Sequence, residues 1–177
     1  MRENKQAILI NNNQLIECLI YEGKIAILPS VSEKIEKLIE LWSNKNPKIE
    51  WCCVCYGEYA FDGKEAIPLI TGFIELPSWN LLNRENGLSI NINDIIRIKE
   101  ANYNIIALLH SHPFNILPSP QDLEAFIYID IILGKPLFYI IVTPDKNKLI
   151  ISFEKCWNCQ NSFIKIIQNQ AIKKQYV

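Results

Sequence analysis

Apolar residues alternate with polar ones, or gather in short runs, along the N-terminal third of the chain. That pattern predicts strands over residues 7–10, 14–21 and 24–28. Three asparagines at 11–13 and the pair Glu22, Gly23 supply turn residues between them. The period then changes: Val31, Ile35, Leu38, Ile39 and Trp42 recur every three or four positions. Ser30 and Glu33 stand ahead of them at capping-box spacing, so a helix is expected to start there and stop before Pro47. Strand patterns return at 51–56 and 66–75, with Pro68 marking an edge or a bulge in the second. Residues 76–87, LPSWNLLNRENG, read as an exposed loop, 88–92 as a short strand and 94–101 as a helical turn.

The C-terminal half carries a short apolar run at 105–109, of the kind found in a central strand buried on both faces, which leads directly into His110. A helix is expected from Pro120 to about Leu133, closed by Gly134 at its C-terminal cap. Strands at 137–142 and 149–153 flank a PDKNK turn, and a last helix is expected over 162–173. Helices thus alternate with strands, which gives an α/β class with one mixed central sheet flanked by helices. The expected organisation is one domain over 1–177, with 156–177 as a C-terminal helical extension packed on it.

Composition narrows the range of functions. At 177 residues and 49% hydrophobic, the chain can bury a substantial core. The net charge is −1 and the basic residues form no long block, so neither nucleic acid nor an anionic membrane is an expected partner. The opening MRENKQAILINNN is too polar for a signal peptide. The most apolar stretch, 125–142, is broken by Asp130, Gly134, Lys135 and Pro136, and is no membrane span. A soluble, cytoplasmic protein is expected. Of its six cysteines, Cys52, Cys53 and Cys55 in WCCVCY read as small buried hydrophobes. Cys156 and Cys159 form a lone C-x-x-C without a second pair to complete a four-ligand structural zinc site; they read as residues capping and packing the last helix.

The segment ALLHSHPFNILPSPQDLEAF carries the chemistry. His110 and His112 are two residues apart at a strand end, so their side chains share a face, and two imidazoles on one face can share a metal ion. Pro113 stops the strand. Pro120 suits the first position of a helix, making Ser119 its N-cap and Asp122 a first-turn residue able to face back toward the histidines. Two histidines and one carboxylate, with a fourth position open to water, describe a catalytic zinc site. Taken singly, each feature has a plain alternative. A lone His-x-His is a weak signal, and Ser-x-x-Asp before Leu123, Phe126 and Ile127 is itself a helix start. Their coincidence is more specific, because the chain holds two histidines and both fall in this segment.

His-x-His-Pro, a short spacer and Ser-x-x-Asp resemble the signature of the JAMM (MPN-plus) metalloproteases, matched by His110, His112, Pro113, Ser119 and Asp122. That family also has a glutamate at the start of the strand after the first helix and a glycine closing that strand. IEWCCVCYG offers Glu50 and Gly57 there, with Glu58 as a nearby alternative. The resemblance in element order spans roughly residues 24–153 and implies a single MPN domain of cytidine-deaminase-like architecture. It implies one catalytic Zn2+ held by His110, His112 and Asp122, with Glu50 as general base and Ser119 donating to the oxyanion. It further implies hydrolysis after the C-terminal Gly-Gly of a ubiquitin-like or sulfur-carrier protein. A segment at 76–92 stands where the family's first insertion grips substrate, making Trp79 and Leu82 candidate substrate contacts. The second insertion has no room here, which disfavours selectivity for polyubiquitin chains. A non-catalytic MPN scaffold, or a hydrolase acting on a small amide or amino-acid adduct, are the rival expectations.

Overall fold

The computed structural model describes residues 4–9, 15–21, 25–45, 50–61, 66–76, 91–145, 148–154 and 163–167. Among the described residues, nine strands and three helices follow in the order β1 (Asn4–Leu9), β2 (Leu15–Tyr21), β3 (Ile25–Ile27), α1 (Pro29–Lys45), β4 (Cys52–Phe61) and β5 (Ala66–Glu75). Then come α2 (Ile92–Glu100), β6 (Ile105–Ser111), α3 (Pro120–Leu133), β7 (Phe138–Val142), β8 (Lys148–Glu154) and β9 (Phe163–Ile167). The strands form one mixed sheet in the order β1-β2-β3-β5-β4-β6-β7-β8-β9. β3 with β5 and β6 with β7 are parallel, and the other neighbours antiparallel. Leu9 of β1 also meets Phe61 of β4, so the sheet curls toward itself at one end. The mixed α/β class expected from the sequence is thus present.

β6 lies inside the sheet between β4 and β7, and every residue from Ile105 to Ser111 is buried. Alternation along the strands divides the core between the two faces. Cys52, Val54, Leu108, Tyr139 and Ile141 pack with Ile95 and Ile98 of α2 and with Phe126 and Ile129 of α3. Cys53, Cys55, Leu109, Ile140 and Val142 pack with Val31, Ile35, Ile39 and Trp42 of α1. The three central cysteines are buried free thiols, as their place in an apolar strand suggests. Among the described residues no helix is long and apolar enough to cross a membrane.

Several elements differ from the sequence reading, each for a local reason. α1 begins at Pro29, whose ring presets the first helical turn, and the Leu28 carbonyl accepts from the N–H groups of Val31 and Ser32 at 2.9 Å each; Ser30 therefore lies inside the helix rather than at its cap. Gly57 does not close β4. The strand passes through it with a register shift at Tyr56/Gly57, and a Cβ there would collide with the Leu69 carbonyl. Pro68 pairs with Tyr59 but stands one residue before β5 meets β3 at Leu69, so that flank is locally an edge. Ile92 opens α2 rather than ending a strand, because the Asn91 side chain accepts from the Asn93 N–H at 3.1 Å and caps the helix. Residues 163–167 form strand β9 against β8, from Glu154↔Phe163 to Ile150↔Ile167, instead of the expected helix. Residues 88–90 of the expected short strand, 168–173 of the expected last helix, and Cys156 and Cys159 lie outside the described residues.

α3 is fixed to the sheet by a buried polar group that shapes the ground under the site. Asp130 is 1% exposed, and its Oδ1 accepts from the Tyr139 hydroxyl at 2.6 Å and from the Leu137 N–H at 2.9 Å. The same hydroxyl also lies 2.6 Å from the Phe126 carbonyl, and the Phe126 and Tyr139 rings stack at 4.0 Å. Burial, and the Asp130 carboxylate beside it, push the Tyr139 phenol far above its ordinary value, so it remains a donor. Tyr139→Phe removes a donor from a buried carboxylate, and chemical denaturation should show a loss of about 1–3 kcal/mol.

Candidate metal centre

The site forms where the C-terminal end of β6 faces the first turn of α3. His110 lies between Cys52 of β4 and Ile141 of β7, on the face covered by α3, with its ring edge-on to Phe126 at 5.8 Å. The ladder continues one step past the strand, since the His112 N–H donates to the Val142 carbonyl at 2.8 Å. His112 therefore keeps the same face as His110, and the ring centroids are 4.5 Å apart. Both side chains are buried.

Asp122 is delivered by the helix start. Pro120 occupies the first turn, the Ser119 Oγ accepts from the Asp122 N–H at 3.1 Å, and the Ser119 N–H donates to Asp122 Oδ2 at 2.6 Å. This is a full capping box, and it turns the carboxylate toward the strand end. Asp122 Oδ1 lies 3.8 Å from His110 Nε2, and Oδ2 lies 3.3 Å from His112 Nε2. The helix-cap reading of Ser119 and Asp122 is thus present, and the capped carboxylate stands near both histidines.

His110, His112 and Asp122 each offer a ligand atom, and these atoms lie within 4.8 Å of one another, so the group can hold a metal ion. The bonding of the two histidines fits that role. The Asn115 carbonyl lies 2.6 Å from His112 Nδ1 and can only accept, so Nδ1 carries the proton and neutral His112 presents a lone pair at Nε2. Neither ring nitrogen of His110 has a hydrogen-bond partner among the described residues, although both are buried. An unsatisfied buried polar atom costs about 1–3 kcal/mol, and a metal ion at Nε2 would remove one such deficit.

The electrostatics follow from burial and proximity. Burial and the neighbouring His112 lower the His110 pKa to about 3 against the pull of Asp122, so the ring is neutral at pH 7. For His112, burial is outweighed by the hydrogen bond and charge of Asp122, the Asn115 carbonyl and the charge of Glu50, and its pKa is raised. Burial pushes Asp122 up, but hydrogen bonding to His112, the nearby His110 and two hydrogen bonds with Ser119 hold it at about 2.

Glu50 sits half-buried two residues before β4, close enough to feel His112 and Asp122. Its pKa is raised chiefly by burial; His112 opposes the shift and Asp122 adds to it. Glu58 is excluded by the extension of β4. It pairs with Leu69, six positions past the Cys52–His110 level, which is roughly 20 Å at about 3.3 Å per residue. Trp79 and Leu82 lie outside the described residues. The sequence reading missed Asn115, which fixes the tautomer of His112 and whose own Oδ1 accepts from the Leu117 N–H at 3.0 Å. Its one sequence signal was an Asn in a short loop after Pro113.

No protein-family model matches the chain, and no curated protein matches it. Among solved structures, protein DSY2949 from Desulfitobacterium hafniense, determined in solution, is similar at 18% identity, covering 73% of this chain and 82% of that one, with a TM-score of 0.44.

Proposed function

We propose that the chain is a zinc-dependent hydrolase of the JAMM (MPN-plus) type, acting on a peptide or isopeptide bond after the C-terminal Gly-Gly of a ubiquitin-like or sulfur-carrier protein. The observation that carries this reading is the buried group His110, His112 and Asp122, with Glu50 beside it and outside the ligand set. Two imidazoles and one carboxylate leave a tetrahedral site one position short, the ligand count of a catalytic rather than a structural zinc. The MPN, cytidine-deaminase-like architecture belongs to the same proposal. It is supported by the run β4, β5, α2, β6, α3, β7, β8, with the ligands at the end of β6 and the start of α3.

A bound zinc ion would polarise the scissile carbonyl and bring the pKa of a water at the open position down to about 7. The residues of the chain divide the remaining work. His110 and His112 supply neutral nitrogens, and Asp122 contributes charge while staying ionised. Glu50, with its basicity raised by burial, accepts the proton of the attacking water and passes it to the leaving amine. Ser119 uses an oxygen lone pair to cap α3, which leaves its hydroxyl proton to donate to the developing oxyanion.

The test begins with metal content. Protein purified without chelator and measured by elemental analysis should hold one zinc per chain. Saturation at a hundred times the dissociation constant should add about 2.7 kcal/mol of stability. His110→Ala, His112→Ala and Asp122→Ala should each lose the metal. Protein that neither carries nor takes up zinc would refute the proposal. So would zinc-loaded protein inert on Gly-Gly-terminated fusions of both modifier classes.

A further inference from the structure

Ser111 stands between the two histidines, and strand alternation sends its side chain to the opposite face, away from the metal ligands. It is fully buried, and it makes two hydrogen bonds to a single residue of the neighbouring strand. Its N–H donates to the Trp51 carbonyl at 2.9 Å, and its Oγ accepts from the Trp51 N–H at 2.7 Å. Cys52 is the partner of His110, so Trp51 falls opposite Ser111. In an antiparallel ladder such a pair exchanges two backbone bonds. Here the hydroxyl replaces the backbone carbonyl in the second bond. The regular strand begins one residue later, at Cys52.

The location of that substitution gives it a consequence. The Trp51 N–H belongs to the rigid peptide unit whose carbonyl comes from Glu50. A hydrogen bond to that N–H therefore fixes the plane from which the Glu50 Cα and side chain depart. The clamp is anchored at the end of β6, one residue from each histidine. Any shift of the β6 end that moves the two histidines also moves the base.

We propose that Ser111 is a positioning residue for Glu50, holding the base in register with the metal group through the Trp51 peptide. The role rests on the metal-hydrolase reading above. Ser111 touches neither metal nor substrate, so its loss should displace the base while leaving the ligands in place.

The experiment compares wild type, Ser111→Ala, Ser111→Thr, Glu50→Gln and the Ser111→Ala/Glu50→Gln double variant, each loaded with Co2+ alone. Amide exchange at Trp51 should accelerate about tenfold in Ser111→Ala, the scale of one lost hydrogen bond, while exchange within β6 stays slow. Co2+ stoichiometry should be unchanged. The pH-dependent visible spectrum should shift as it does in Glu50→Gln, and the double variant should shift no further than Glu50→Gln alone. Ser111→Thr keeps the hydroxyl and should restore both readouts. Should Ser111→Ala fail to fold, Ser111→Cys keeps the volume with a poorer acceptor and takes its place. Unchanged Trp51 exchange, loss of Co2+ as in His112→Ala, or additive spectral shifts would each overturn the proposal. Wild-type protein that takes up no Co2+ would bring down the metal reading, and this role with it; that result is visible before any variant is made.

Discussion

Glu50→Gln should lower cleavage of a Gly-Gly-terminated modifier fusion by about 10²–10⁴-fold, the usual contribution of a general base, with zinc content and melting temperature unchanged. The amide keeps the shape and hydrogen-bonding capacity of the side chain but cannot accept a proton. The residue lies outside the ligand set, at the half-buried entrance of β4, so little packing is lost with the charge. Loss of a raised-pKa carboxylate beside His112 should also lower the His112 pKa, because the Glu50 charge is one of the factors raising it. A structural Glu50 would instead reveal itself as a drop in melting temperature, and a scaffold protein would have no cleavage to lose. Near-normal turnover by the variant would remove Glu50 from the mechanism. Glu58, remote along β4, is no substitute candidate.

The site was legible because its chemistry is local. A spacing of two puts His110 and His112 on one face of any strand, and Ser119, Pro120 and Asp122 write a helix start whatever the rest of the fold does. What sequence could not supply was contact between distant segments. Asp130 read as an interruption of an apolar run, whereas it is held by the Leu137 N–H and the Tyr139 hydroxyl. Ser111 carries no signal in the sequence, because its partner Trp51 lies sixty positions away. The apolar positions Phe163, Ile164, Ile166 and Ile167 satisfy a helical and an extended pattern about equally; pairing with β8 decides for the strand. Gly57 is a strand end only by the family resemblance; a glycine that admits a close backbone neighbour makes a bulge here, and β4 continues beyond it. Local periodicity placed most of the elements between residues 24 and 153, and long-range pairing settled their ends.

Metal-free protein should lose stability steeply as pH falls from about 6.5 toward 4, with His110 as the main cause. In the unfolded chain its imidazole titrates near the ordinary 6.5, whereas in the folded chain burial and His112 hold it at about 3. Between those values the unfolded state binds more protons, so stability rises with pH across the window and is lost as pH drops through it. A change from 6.5 to about 3 corresponds to roughly 5 kcal/mol at about 1.36 kcal/mol per pH unit, much of the stability of an ordinary domain. His112 has the opposite sign. Its raised pKa contributes stability that is complete below 6.5 and lost as pH rises through the folded value, so it cannot offset the fall further down. Asp122 adds acid sensitivity only below this range, between its ordinary 3.8 in the unfolded chain and about 2 in the folded one. Zinc should move the transition to lower pH, since the ion would bind the paired histidines of the folded chain and protonation of the unfolded imidazoles would have to compete with it. Thermal melts from pH 4 to 8, with zinc and with chelator, measure the effect. His110→Leu, which cannot titrate, should flatten the chelator curve between pH 4 and 6.5. Proton uptake by Glu50, whose pKa burial raises, acts in the opposite direction in this window. A metal-free wild type as stable at pH 4.5 as at pH 7 therefore counts against a neutral buried His110 only if His110→Leu is equally flat.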